Sequence, residues 1–187
     1  MTTLPDEAAL QSTALDRVID SVRSVVLQGN GPDETARLVA AALQPFLTDP
    51  DLLPAEYRRG DPTGYRQHLM HAEEDGSFSI VALVWQPGQH TSIHDHVSWC
   101  VTGVYQGVET EYRYELRGSG ENQHLVPGPV VVNGPGSSDG FAPPGDIHLV
   151  TNAGSTPAIS VHIYGADISR LGTSIRRRYD LPIRDAA

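Results

Sequence analysis

An all-β core with α-helices packed on its outside is the fold class this sequence predicts, on three observations. Apolar residues recur at helical spacing only before about position 60. Beyond Tyr65 they fall into short β-rich runs divided by turn signals. The 187 residues include 18 Gly and 14 Pro, with 39% hydrophobic and only 19% charged, which is a turn-rich globular composition and not that of a coiled coil or a disordered chain. That length fits one domain over 1–187, read as a helical segment at 1–60, a β-barrel at 65–165 and a C-terminal tail at 166–187.

Taken in order, the stretch from Leu15 to Val26 sets Leu15, Val18, Ile19, Val22, Val25 and Val26 on one helical face, with Asp16, Arg17, Asp20 and Arg23 on the other. A second helix starts near Pro32 and Asp33, where proline suits the first turn and a carboxylate the positive end of the dipole, and runs through Leu38, Val39, Ala42 and Leu43 to Pro45. Both are expected to pack outside the sheets. Repeated Asp, Pro and Gly from Thr48 to Thr63 predict an irregular connection. Strands are expected at Ser77 to Trp85, Trp99 to Tyr105, Val108 to Leu116, Val130 to Asn133, His148 to Thr151 and Ala158 to Tyr164. Gly-Pro turns such as Pro87-Gly88, Gly134-Pro135-Gly136 and Pro144-Gly145 separate them, so a barrel or sandwich is predicted over a parallel α/β sheet.

Composition also narrows the partners. A formal net charge of -10 outweighs the basic run Arg176, Arg177 and Arg178, which argues against nucleic acid and anionic membrane as partners. The single cysteine, Cys100, has no internal disulfide partner, and neither a signal-peptide core nor an apolar run of about 18 residues occurs. The expectation is a soluble cytoplasmic protein, with oligomeric state left open.

The chemistry centres on histidine. In Gly88-Gln89-His90-Thr91-Ser92-Ile93-His94-Asp95-His96 two histidines stand at i and i+2, so on a strand both imidazoles share a face. A third candidate, His148, follows the turn Pro143-Pro144-Gly145-Asp146-Ile147 into a strand. Neutral imidazole ligates Fe, Zn, Cu or Ni, so three converging histidines form a plausible metal site, although His-x-His alone also occurs in ordinary surface strands. On the last strand, Ser160, His162 and Tyr164 share one face and Ile159, Val161 and Ile163 the other. The first set either lines the cavity beside the metal or meets solvent.

Gly88, His94 and His96 with Gly107, then Pro143, Gly145, His148 and Asn152, resemble the two motifs of the cupin superfamily, a jelly-roll β-barrel. The usual cupin carries a glutamate ligand four residues after its second histidine, where this chain has Cys100. With Ser160, His162 and Tyr164 added, the sequence from about Tyr65 to Tyr164 is similar to the thiol dioxygenases of the cysteine dioxygenase family. That resemblance implies Fe(II) held by His94, His96 and His148, a Ser160-His162-Tyr164 relay beside it, and a small thiol and O2 as substrates. It further implies a site of three neutral imidazoles that leaves coordination positions open. Some members join a cysteine to the relay tyrosine by a thioether, which makes Cys100 and Tyr164 candidates for a cross-link, the alternative for Cys100 being a small apolar filler.

Substrate choice follows the same resemblance. Cysteine dioxygenases hold the substrate carboxylate with an early arginine, whereas a bacterial subgroup acting on 3-mercaptopropionate has glutamine. In Tyr65-Arg66-Gln67-His68-Leu69 the match is to Gln67, with Arg66 as the alternative. Arg170 is the candidate second carboxylate anchor; the alternative is a surface arginine on a basic C-terminal helix. The implied product is the sulfinic acid of 3-mercaptopropionate first and of cysteine second. The rival readings are a Zn- or Mn-dependent isomerase on the same fold and a cupin that binds a small molecule without catalysis. His68, His71, His90 and His124 are expected at the surface or behind the ligands, and Trp85 and Trp99 in the packing, with walling the pocket as the alternative for Trp99.

Overall fold

The structure is a computed structural model that describes residues 12–185. Residues 1–11 of the expected helical segment, and residues 186–187 of the tail, lie outside the described residues. Helix α1, Ala14–Val26, begins at a capping box in which Thr13 and Asp16 satisfy each other's end groups, and it buries Ala14, Val18 and Val22. Helix α2, Pro32–Leu43, opens on Pro32 and buries Ala36, Val39, Ala40 and Leu43. Each such aliphatic side chain, fully withdrawn from water, contributes about 1.5–3 kcal/mol before entropy is counted.

The strands that follow are β1 Arg66–Ala72, β2 Ser79–Trp85, β3 His94–His96, β4 Cys100–Gln106, β5 Glu109–Arg117, β6 His124–Asn133, β7 Ser138–Phe141, β8 His148–Thr151 and β9 Ala158–Tyr164. A short helix α3, Ile168–Leu171, and strand β10, Ile175–Arg178, complete the order. The strands form two five-stranded sheets with spatial orders β1-β2-β9-β4-β7 and β10-β3-β8-β5-β6, every pairing within them antiparallel. These are the two sheets a jelly roll requires. The helices lie outside the first sheet, where α2 comes so close that a Cβ on Gly140 of β7 would sit 2.4 Å from the Ala36 carbonyl oxygen. Gly107 ends β4 with φ +74, and a Cβ there would meet the Ala158 backbone at 2.7 Å, so the turn needs glycine on both counts.

Four elements differ from the sequence reading. Ile175–Arg178 is a strand paired with β3, where a basic helix or tail was the expectation. The expected run Val130 to Asn133 extends back to His124 and includes Pro127 and Pro129, which an edge strand accommodates because one row of its amides has no partner to satisfy. Strands β1 and β7 were not expected: β1 is only half-buried and shifts register between Leu69 and His71, and β7 contains Asp139-Gly140.

Candidate metal centre

The second sheet carries all three histidines. On neighbouring strands β3 and β8, His94 and His148 are direct cross-strand partners, and His96 shares their face because it lies two residues from His94. All three are buried, and one ligand atom from each lies within 4.8 Å of the others. Behind the rings, His94 Nδ1 is 2.9 Å from the Ser92 carbonyl, His96 Nδ1 is 3.1 Å from Asp146 Oδ2, and His148 Nδ1 is 2.8 Å from Glu111 Oε1. Each acceptor holds a proton on Nδ1, which leaves the Nε2 lone pair of each ring for a metal.

Electrostatics maintain that state. Burial, and then the neighbouring His148 and His96, push His94 down to about 3. Burial also lowers His96, partly offset by its bond to Asp146. For Glu111 burial acts upward, but the bonds from His148 and Arg113 prevail and bring the carboxyl to about 2. Asp146 is likewise held low by His96 against its burial. The donor set fits a first-row transition ion: three imidazole nitrogens, with two carboxylates behind the rings. Part of the compensating charge that the three imidazoles lack is supplied from this outer layer.

On the opposite face of β3, Asp95 points away from the histidines, accepts from Tyr179 Oη at 2.8 Å and pairs with Arg176. Strand β10 thus backs the ligand strand through both its backbone and Asp95.

A cavity of about 30 Å³ separates the histidines from the first sheet and is lined by Tyr65, Gln67, Trp85, His162, Tyr164 and Ile175, among others. A larger hollow of about 500 Å³ lies against Asp95, Tyr114, Arg117 and Tyr179, and none of the three histidines lines it. Chemistry at the histidines belongs to the smaller cavity.

Strand β9 supplies the facing wall. Ser160 Oγ lies 2.9 Å from His162 Nε2, and Tyr164 Oη 3.4 Å from His162 Nδ1, with all three residues buried. Trp85 Nε1 donates to Ser160 Oγ at 3.2 Å. Burial, with the three other histidines adding to it, pushes His162 down to about 3. Cys100 is fully buried on β4 directly opposite Tyr164, and burial pushes both its thiol and the phenol well up.

The remaining sequence candidates divide. Gln67 lines the cavity, whereas Arg66 is not among the lining residues. Arg170 sits on α3 with its side chain 66% exposed, paired to Asp167 at 3.0 Å and donating to the Glu74 carbonyl, and it is absent from the cavity wall. Of the two tryptophans expected in the packing, Trp99 is there and Trp85 also reaches the cavity. Trp85 walls the cavity and Trp99 packs against Gly165 and the helix-side core. Glu111, Asp146 and Asp95 were not foreseen. Their only signals were an Asp two residues before His148 and two glutamates, Glu109 and Glu111, at period two on one strand face.

Several solved structures are similar to part of the chain. A protein with a double-stranded β-helix domain from Klebsiella pneumoniae is 22% identical, with 60% of this chain and 85% of that one covered and a TM-score of 0.44. A cupin 2 domain-containing protein from Halorhodospira halophila is 17% identical, with 65% and 72% covered and a TM-score of 0.44. A Thermus thermophilus protein is 20% identical, with 59% and 91% covered and a TM-score of 0.43. The two antiparallel five-stranded sheets make the fold a jelly roll with added helices. The family model described as cysteine dioxygenase type I matches residues 10–176, from before α1 into β10 and across every histidine discussed above. On that match the chain belongs to the cysteine dioxygenase type I family.

Proposed function

We propose that the protein is an iron(II)-dependent dioxygenase that converts a small mercapto-acid and O2 to the sulfinic acid, with 3-mercaptopropionate as first substrate and cysteine as second. The observation that carries the reading is one small cavity bounded by the three imidazoles on one side and by Gln67, His162 and Tyr164 on the other, with Ser160 behind His162. The family supports thiol oxidation; the choice of iron and of thiol is ours.

His94, His96 and His148 would hold the ion, which when bound supplies the redox chemistry by which both oxygen atoms of O2 reach sulfur, with no external reductant. The chain's own residues do the rest. Thr91, Leu83, Trp85 and Val150 narrow the space around the histidines and leave little room for water. Gln67 can donate its amide N–H to a substrate carboxylate. No arginine, aspartate or glutamate lines the cavity among the described residues, so the ammonium group of cysteine would enter without an acidic partner. That favours a mercapto-acid lacking the amine, because a buried unpaired charge is costly. Tyr164 presents its hydroxyl to the same space, and His162 and Ser160 fix the direction of its proton.

Cys100 and Tyr164 face each other across adjacent strands, which supports the cross-link over the filler reading. Joining them removes one hydrogen from each, with O2 as oxidant. Intact mass after turnover should fall by two hydrogens, and an unchanged mass returns Cys100 to packing.

The test is anaerobic iron loading followed by oxygen uptake with 3-mercaptopropionate, cysteine and cysteamine, with product mass recorded. The expected result is sulfinate formation, fastest with 3-mercaptopropionate. Failure to consume oxygen with any thiol at full iron content overturns the reading, and a preference for cysteamine removes Gln67 as a carboxylate anchor.

A further inference from the structure

Glu109, the first residue of β5, is 2% exposed, and its Oε1 has no hydrogen-bond partner. A buried carboxyl oxygen in that condition calls for an explanation. Its carboxyl faces the Ser160 hydroxyl on β9 and the Trp85 indole on β2. From Ser160 the file continues to His162 Nε2 at 2.9 Å, and from Nδ1 to the Tyr164 hydroxyl at 3.4 Å. Four polar side chains therefore run in line from the cavity wall to a carboxyl that does not line the cavity.

We propose that Glu109 terminates this file and takes up, through it, the proton that a thiol loses when it binds in the cavity as its thiolate. The inference rests on the thiol reading given above. The substrate S–H bond breaks and its proton joins Tyr164 Oη, while the phenol's own proton passes to His162 Nδ1. The proton on His162 Nε2 passes to Ser160 Oγ, and that of Ser160 to the Glu109 carboxylate. Each of the three relay residues ends with as many protons as it began, one negative charge has moved from carboxylate to sulfur, and no electrons are transferred.

Direction follows from the imidazole, which when neutral carries a single N–H. Before the transfer Tyr164 donates to His162 and turns an oxygen lone pair to the cavity. Afterwards His162 donates to Tyr164, and the phenol O–H is free to donate to the new anion. The file thus presents an acceptor to the thiol and a donor to the thiolate.

The surroundings fit a group that exchanges its proton near neutrality. Burial raises Glu109 to about 7, with Ser160 and Trp85 acting against it and Glu111 on the same strand adding to it. Tyr164 on β9 also opposes a second negative charge nearby. His162, held near 3 by burial and by the other histidines, passes the proton on and does not store it.

Infrared difference titration of the iron-loaded, oxygen-free protein tests the terminus directly, and the pH profile of kcat/KM with 3-mercaptopropionate tests its use. Wild type should show a carboxylic-acid band that titrates near pH 7, missing in Glu109→Gln and displaced in Ser160→Ala. Its kcat/KM should rise with pH through the same midpoint. Both variants should lose that limb and fall at least about tenfold on the plateau, as expected when a proton acceptor is removed, at unchanged iron content. Absence of the band, or a folded, iron-replete Glu109→Gln with wild-type rate and profile, overturns the proposal. Ser160→Ala cuts the same link if Glu109→Gln does not fold. If the band titrates and responds to Ser160→Ala while wild type oxidises no thiol, Glu109 stands as the terminus and only the thiol reading fails.

Discussion

The two walls of the cavity use histidine in opposite ways. On the second sheet, His94, His96 and His148 each commit Nδ1 to an acceptor behind the ring and keep Nε2 for the cavity. On the first sheet, His162 is just as buried but spends both nitrogens within its own strand, on Ser160 and Tyr164, and has none left for a metal. Burial keeps His94, His96 and His162 neutral alike. What separates the two kinds of histidine here is the number of ring nitrogens already engaged, and the strand register decides that number.

The comparison breaks most visibly at His94. His94→Ala should reduce bound iron to background and abolish turnover, and retained turnover in an iron-quantified sample would remove His94 from the ligand set. Next comes the relay wall. Glu109 has a folded value of about 7 against an ordinary 4.5, so its contribution to stability is complete below pH 4.5 and is lost as pH rises through 7. The loss amounts to about 3 kcal/mol by linkage. Glu109→Gln stays neutral throughout, so its stability relative to wild type should increase between pH 5 and pH 8 in denaturant titrations; a constant difference would mean that the carboxyl is not held neutral. On the metal wall, Glu111→Gln leaves the His148 ring its acceptor but not the charge, and should weaken metal binding by about 10–100-fold in chelator competition, while removing one of the influences that raise Glu109. The smallest effect belongs to Arg170→Ala, expected to change kcat/KM by less than about twofold, since its side chain is exposed and neither it nor Asp167 lines the cavity. A tenfold rise in KM would restore Arg170 as a carboxylate anchor.

How much of this was legible in the sequence depended on whether a feature had a period. The two helices, the shared face of His94 and His96, and the Ser160-His162-Tyr164 file all follow from spacing along one segment, and the structure has them in that form. The position of Cys100 opposite Tyr164 was reachable by counting back from the Gln106-Gly107 turn. Strand β10 was not, because Ile175-Arg176-Arg177-Arg178 has no apolar alternation and becomes a strand only by pairing with β3. Glu111 and Asp146 were hidden for a related reason: a lone carboxylate carries no pattern, and its role exists only once β5 and the turn before β8 bring it behind a particular ring. Arg170 shows the converse: suggested by the family resemblance, it pairs with Asp167 and the Glu74 carbonyl and does not line the cavity.

Strand β10 gives the metal wall an order in time. It is synthesised after every ligand, yet it covers the outer edge of the strand that carries two of them and contributes Ile175 to the cavity. While residues 175–178 are still within the ribosome, β3 is a three-residue edge with exposed amides and an Asp95 lacking Arg176 and Tyr179. A nascent chain therefore holds its histidines in sequence before Arg176 and Tyr179 can reach Asp95 behind them.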